Sequence, residues 1–238
     1  ANITARTQGN QKVERLLSER QWKYCINVAK EMADAMPNKH ERTLFIMSIL
    51  YLMYLRISEL AATEKWKPEM GHFYQNSEGS WFFKVLGKGN KLKTISVSDG
   101  VLKALRRYRK HLNLTSLPTP GEQTPLISKI RGKGAITSDR DIRNVVQSCF
   151  DEAVSRLYDK GYKDDANSLE TATVHWLRHT GISDDLNKRG RPMVHVRDDA
   201  GHEKSTTTDR YNNSDIQERY LSGKNKQIQI KDEKTTNE

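Results

Sequence analysis

Apolar positions change their period several times along this chain, and each change marks an element. Residues 1 to about 14 are polar and show no period, so they read as a linker or arm. Trp22, Cys25, Ile26, Ala29, Met32 and Ala33 then recur at helical spacing. Ser18 with Gln21 three residues on forms a capping-box pair, which starts that helix, and Pro37 ends it. Asn38 with Glu41 opens a second helix. Its body, residues 43–55, is apolar almost all round, the signature of a helix at the centre of a core. It carries Arg56 at its far end. The period then shortens. Residues 72–75, 81–86 and 92–97 are strand-prone, and 76–80 and 87–91 are turn-rich, which predicts a small antiparallel sheet with a Lys-bearing hairpin tip. Helical spacing returns after Ser98, with Val101, Leu102, Leu105, Tyr108 and Leu112 on one face. Residues 115–125 form a surface loop. Ser138 or Asp139 caps a helix running to about Tyr158, and 160–168 reads as a charged loop. Helices follow at about 171–188, 192–200 and 205–212, then a short one near 215–221. From 223 the tail is polar and Lys-rich, except that Ile228 and Ile230 alternate with Gln as a short strand would. The pattern predicts a mainly helical α+β chain: an arm over 1–14, one domain over 15–222 and a tail over 223–238.

Charge adds a partner class. The chain has 238 residues with 40 Lys plus Arg against 30 Asp plus Glu, a formal charge of +10. Such an excess favours a polyanion, because each neutralised phosphate releases counterions, although a generic cationic surface has the same composition. The two cysteines, Cys25 and Cys149, lie far apart and outside any CxxC pattern. They exclude a disulfide framework or a cysteine-rich zinc site and suit a reducing compartment. No run of eighteen apolar residues exists, so no membrane span is expected. The first residues lack a signal-peptide layout and an initiator Met, which suggests a piece of a longer chain.

Chemistry concentrates in residues 173–211. His175 and Arg178 share one helical face, and His179 lies on the same side. A His-x-x-x-His metal pair would need a third ligand, and Trp176 stands where a zinc protease carries Glu, so no metal is expected. Gly201-His202 reads as a tight turn presenting an imidazole. Nine residues on stands Tyr211, flanked by Arg210 and Asn212. A phenol is a poor nucleophile unless its proton is removed or cations favour the phenolate. Arg56, Arg178 and His202 would supply that field and would stabilise a phosphoryl-transfer transition state. Glu59, three residues after Arg56, is suited to orient it. Lys88 on the hairpin tip is the candidate general acid, with Lys91 and Lys93 as rivals. Taken singly, each has a plain structural reading as helix histidine, packing tyrosine or solvated turn lysine.

Together the segments Y-L-R-I-S-E-L, G-K-G-N-K, H-W-L-R-H-T and A-G-H-E-K-S-T-T-T-D-R-Y, in this order, resemble the catalytic domain of the tyrosine recombinases, the phage-integrase family. The resemblance spans roughly 18–221. It implies a tyrosine-recombinase catalytic-domain fold that acts on double-stranded DNA without metal, ATP or other cofactor. Tyr211 would form a 3′-phosphotyrosyl link, Arg56 and Arg178 hold the non-bridging oxygens, and His202 donate to the phosphate. His175 would assist proton removal or orient the phosphate, and Lys88 would protonate the leaving 5′-oxygen. Glu59 and His179 would support them, and Lys91, Lys93 and Arg210 would bind DNA. The resemblance also implies a cytoplasmic, DNA-associated protein, bacterial or phage-encoded, whose full-length form works as a tetramer on paired sites. A tail exchanged between protomers is the alternative to a disordered one. Tyr54 departs from the family's usual Gly, Ala200 from its usual Leu, and residues 157–171 form a longer link. The chain has no room for the family's preceding core-binding domain, so a catalytic fragment or minimal variant is expected. The competing readings are a catalytically inert DNA-binding module of the same fold, a type IB topoisomerase and a metallohydrolase.

Overall fold

A computed structural model describes residues 15–201 and 215–230. The capping box at its start is formed: Gln21 N–H donates to Ser18 Oγ at 3.1 Å, and Ser18 N–H to Gln21 Oε1 at 2.7 Å. It opens α1 (Glu19–Ala35), which buries Trp22, Cys25, Ile26 and Ala29. After Met36 alone, α2 (Pro37–Leu52) begins. Neither Asn38 nor Glu41 caps it. Pro37 itself takes the first helical position, where its missing N–H costs nothing and its φ is already helical. Residues 40–52 of α2 are all buried, as an apolar circumference requires. Trp22 stacks on Tyr51 with ring centroids 4.2 Å apart, and Phe45 stacks on Tyr108 at 4.8 Å.

The central helix does not carry Arg56. It stops at Leu52, and the chain turns through Tyr54, whose φ of 54° is left-handed, before a four-residue helix α3 (Ile57–Leu60). The sheet matches the predicted strands: β1 (Phe73–Gln75), β2 (Trp81–Leu86) and β3 (Leu92–Ser96), antiparallel in that order, with Phe73 opposite Phe83 and Leu86 opposite Leu92. Its tip is a 3-10 turn over Lys88–Asn90. Helices α4 (Asp99–His111), α5 (Asp139–Asp159), α6 (Lys163–Glu170), α7 (His175–Asn187), α8 (Met193–Ala200) and α9 (Ile216–Gly223) complete the described α-helices, and a 3-10 turn at Met70–His72 precedes β1.

The expected loop at 160–168 is largely helical. The polar composition of α6 hides its tertiary role. Ala166 and Leu169 are buried, and Asp165 in the first turn accepts from Ser18 Oγ at 3.0 Å and Arg20 Nη1 at 2.8 Å. Packing against α1 and α5 therefore outweighs propensity. The helix expected at 205–212 lies outside the described residues. Residues 224–230 run back along this chain's own core. Asp99 and Gly100 N–H donate to the Lys224 and Lys226 carbonyls at 2.8 and 3.0 Å, and Ile228 and Ile230 pack on the core.

Candidate active site

Arg56 sits at the start of α3, with its side chain 30% exposed. The fold of α3 brings Glu59 back beneath it. Glu59 Oε2 accepts from the Arg56 N–H at 2.8 Å, and Oε1 lies 3.4 Å from Arg56 Nη1. The Trp66 indole N–H donates to the Glu59 carbonyl at 2.9 Å, and Trp66 stacks on His72 at 4.8 Å. The Glu59 carboxylate is only 3% exposed. From β3, Lys93 reaches in and places Nζ 2.9 Å from Glu59 Oε1.

Arg178 comes from α7, 122 residues later, and is 2% exposed. Gly181 makes its approach possible: a Cβ there would lie 2.0 Å from the Tyr51 carbonyl oxygen, so only Gly lets α7 lie this close to α2. The guanidinium forks between two backbone carbonyls. It donates to Tyr54 O and, at 2.7 Å, to Ala200 O. Burial and the neighbouring Arg56 charge bring its pKa down to about 10, still cationic at neutral pH. Two arginines are thus fixed on different elements within reach of each other's charge. His175 opens α7 at the surface, and its ring meets His179 edge-on at 4.5 Å between centroids. Desolvation, His179, Arg178 and Arg56 hold its pKa below the ordinary histidine value, so it is neutral at pH 7 and free to accept a proton.

The left-handed turn at Tyr54 aims the carbonyl that Arg178 grips. A tyrosine in this conformation costs roughly 1–2 kcal/mol relative to Gly. Its side chain compensates in a buried polar network. The Tyr54 hydroxyl donates to Asp185 and accepts from Arg191 Nη1 at 3.0 Å. Asp185 also receives Arg189 at 2.7 Å and Lys226 at 2.8 Å, and Arg191 Nη2 reaches Asp199 Oδ2 at 2.9 Å. Asp199 in turn accepts from the Ser96 N–H of β3 at 2.9 Å. The network therefore ties α2, α7, α8, β3 and the C-terminal segment behind the two arginines.

Of the residues singled out from the sequence, Arg56, Glu59, Lys93, Arg178, His175 and His179 are brought to this one region. Lys93 stands inside the cluster, pointing at Glu59. Lys91 is exposed on the hairpin. Lys88 begins the tip turn, and its side chain lies outside the described part. His202, Arg210 and Tyr211 lie outside the described residues. The chain reaches their segment through Gly201, which closes α8 with a left-handed φ of 64° beside Ala200 and Lys93. Among the described residues, no group of three or more His, Cys, Asp or Glu side chains is arranged to hold a metal ion. No described helix is long and apolar enough to cross a membrane.

The sequence model of the phage integrase family matches residues 25–218, from within α1 to the start of α9. This chain belongs to the phage integrase family. Its relatives include tyrosine recombinase XerC of Chlorobaculum parvum (strain DSM 263 / NCIMB 8327), 27% identical over 169 residues, covering 70% of this chain and 43% of XerC. XerC of Thermodesulfovibrio yellowstonii (strain ATCC 51303 / DSM 11347 / YP87) is 26% identical over 185 residues, covering 74% of this chain and 51% of that protein. The chain thus spans about half the length of the curated relatives it matches. The fold is shared with a crystal structure of XerH site-specific recombinase bound to palindromic difH substrate, a post-cleavage complex. The TM-score is 0.58 at 18% identity, over 91% of this chain and 54% of XerH.

Within this phage integrase family member, Asp185, Arg191, Asp199 and Lys226 escaped the sequence reading. One signal was present. Tyr54 stands where the family usually has Gly, and a Gly position in a tight turn implies a positive φ. Nothing local marks its distant partners, because an Asp inside a helix looks solvated until its neighbours in space are known.

Proposed function

We propose that this chain is the catalytic part of a site-specific DNA recombinase that breaks and rejoins strands of double-stranded DNA through Tyr211. The observation that carries this reading is the pair of arginines. Arg56 and Arg178, from elements 122 residues apart, lie near enough for the charge of one to act on the other, and each is oriented by its own partners. Arg178 is oriented by two carbonyls and Arg56 by Glu59. Two neighbouring guanidiniums would suit the extra negative charge of a phosphoryl-transfer transition state. The Tyr211 phenol oxygen would bond to phosphorus as the bond to the 5′-oxygen breaks. His175, neutral at pH 7, would accept the phenol proton, and Lys88 would give one to the leaving 5′-oxygen. His202 would donate to a non-bridging oxygen. The link keeps the bond energy, so a 5′-hydroxyl can reverse the step without ATP or a metal. The family membership and the fold shared with XerH support this reading, as does a net charge of +10. Lys91 and Arg210 would hold DNA phosphates outside the reacting centre. Paired sites in a tetramer of the full-length protein would supply the partner strand.

The test is covalent trapping on a nicked suicide duplex. The wild-type chain forms an adduct whose peptide map ends at Tyr211, and Tyr211→Phe forms none. An adduct that survives Tyr211→Phe, or DNA binding with no adduct from the wild-type chain, refutes the proposal.

A further inference from the structure

Lys93 touches two parts of the cluster, the Glu59 carboxylate and the turn after α8. Its ammonium lies 2.9 Å from Glu59 Oε1, and its side chain is 14% exposed. Its stem packs against the turn that ends α8: a Cβ on Gly201 would stand 2.7 Å from Lys93 Cδ and 3.1 Å from Nζ. Gly201 leads directly into His202.

A carboxylate as buried as Glu59 needs a countercharge. Two cations compete for it. Arg56 offers Nη1 at 3.4 Å from a side chain 30% exposed, whereas Lys93 is nearer, at 2.9 Å, and more buried. Lys93 is therefore the principal countercharge. With Lys93 in place, Arg56 needs to give Glu59 only its backbone N–H and one weak guanidinium contact. Without Lys93, Glu59 draws the Arg56 guanidinium onto itself, in competition with a phosphate.

We propose that Lys93 is a positioning residue: it neutralises Glu59 so that Arg56 stays free for phosphate, and it braces the Gly201 turn that precedes His202. The inference rests on the recombinase reading for its consequence, not for the pairing itself. It also distinguishes Lys93 from a proton donor. Burial above all, with Arg178 and Arg56 in the same direction, lowers its pKa against the opposing pull of Glu59, so it is the contact with Glu59 and not the titration that sets its role.

The experiment compares four proteins: wild type, Lys93→Met, Glu59→Gln and the double variant. On the suicide duplex, Lys93→Met slows adduct formation about 10- to 100-fold, the loss typical of a misplaced reacting group. Adding Glu59→Gln in that background recovers most of the loss, because no unpaired carboxylate remains to capture Arg56. The inference is overturned if Lys93→Met is as fast as wild type, or if the double variant is no faster than Lys93→Met. A 5′-bridging phosphorothiolate duplex, whose leaving group needs no proton, separates the roles. Lys93→Met remains slow on it if Lys93 positions, and a return to the wild-type rate would make Lys93 the acid and overturn the inference. Thermal melts of the same proteins decide the pairing without any reaction. The double variant should melt above Lys93→Met, and a double variant no more stable than Lys93→Met overturns the pairing. A wild-type chain that makes no adduct sinks the recombinase reading instead, and the melts still decide the Lys93–Glu59 pair.

Discussion

Removing the Lys226 ammonium tests whether the buried network behind the arginines holds the C-terminal segment. Lys226 Nζ donates to Leu52 O at 2.5 Å and to Asp185 Oδ2 at 2.8 Å, and its side chain is 4% exposed. In Lys226→Met the stem volume is kept and the charge is lost. Breaking an isolated buried pair from one side costs about 3–5 kcal/mol. Asp185, however, retains Arg189 at 2.7 Å and Arg191 at 3.3 Å, so its charge is not left alone. What remains is one lost ionic partner and an unsatisfied Leu52 carbonyl, about 1 kcal/mol each. The sum is about 2 kcal/mol, or a fall in Tm of about 4–8 °C for a chain of this size. The loss is also local. Asp99 and Gly100 N–H groups, which donate to the Lys224 and Lys226 carbonyls, should exchange with solvent faster. Thermal melts, urea melts and amide exchange on the same sample read all three. A variant within about 0.5 kcal/mol of wild type, with unchanged exchange at Asp99 and Gly100, would refute the claim that Lys226 anchors the segment.

Burial pushes the Asp185 carboxyl up, but Lys226, Tyr54 and Arg189 outweigh it and hold its pKa below the ordinary value. Its contribution is complete above the unfolded pKa, about 3.9, and is lost as pH falls towards the lower folded value. The Tm gap between wild type and Asp185→Asn should therefore hold down to about pH 5 and shrink below it; a gap independent of pH would contradict this. Tyr54→Gly removes a backbone cost of roughly 1–2 kcal/mol but deletes a fully buried ring, typically worth about 3–5 kcal/mol. Urea melts should show a net loss of about 2–3 kcal/mol, and a more stable variant would show that the network does not offset the turn. Arg178→Lys cannot fork between the Tyr54 and Ala200 carbonyls. Adduct formation should fall by about 100-fold or more while the charge for DNA binding remains, and a rate near wild type would remove Arg178 from the reaction.

Local pattern determined much of this protein. The Ser18–Gln21 capping box, the apolar circumference of the second helix and the three strands are all set by neighbours a few residues away, and all appear where the sequence places them. Arg56, Glu59, Arg178 and His175 stand out in the sequence because their motifs lie in continuous stretches, and the fold gathers them in one region. What tertiary structure alone decided concerns groups distant in the chain. The expected loop became α6, because Ala166, Leu169 and the Ser18–Asp165 contact exist only after α1 and α5 pack. Arg56 left the central helix at a left-handed Tyr54, which a helical period cannot announce and which a buried Asp185 more than a hundred residues away makes tolerable. Lys93, one of three similar lysines on a hairpin, took the inward place because the strand register points it at Glu59 beneath Gly201. Side-chain type and spacing fix which groups are available. Which charge is buried against which is settled by the cost of leaving any of them unpaired.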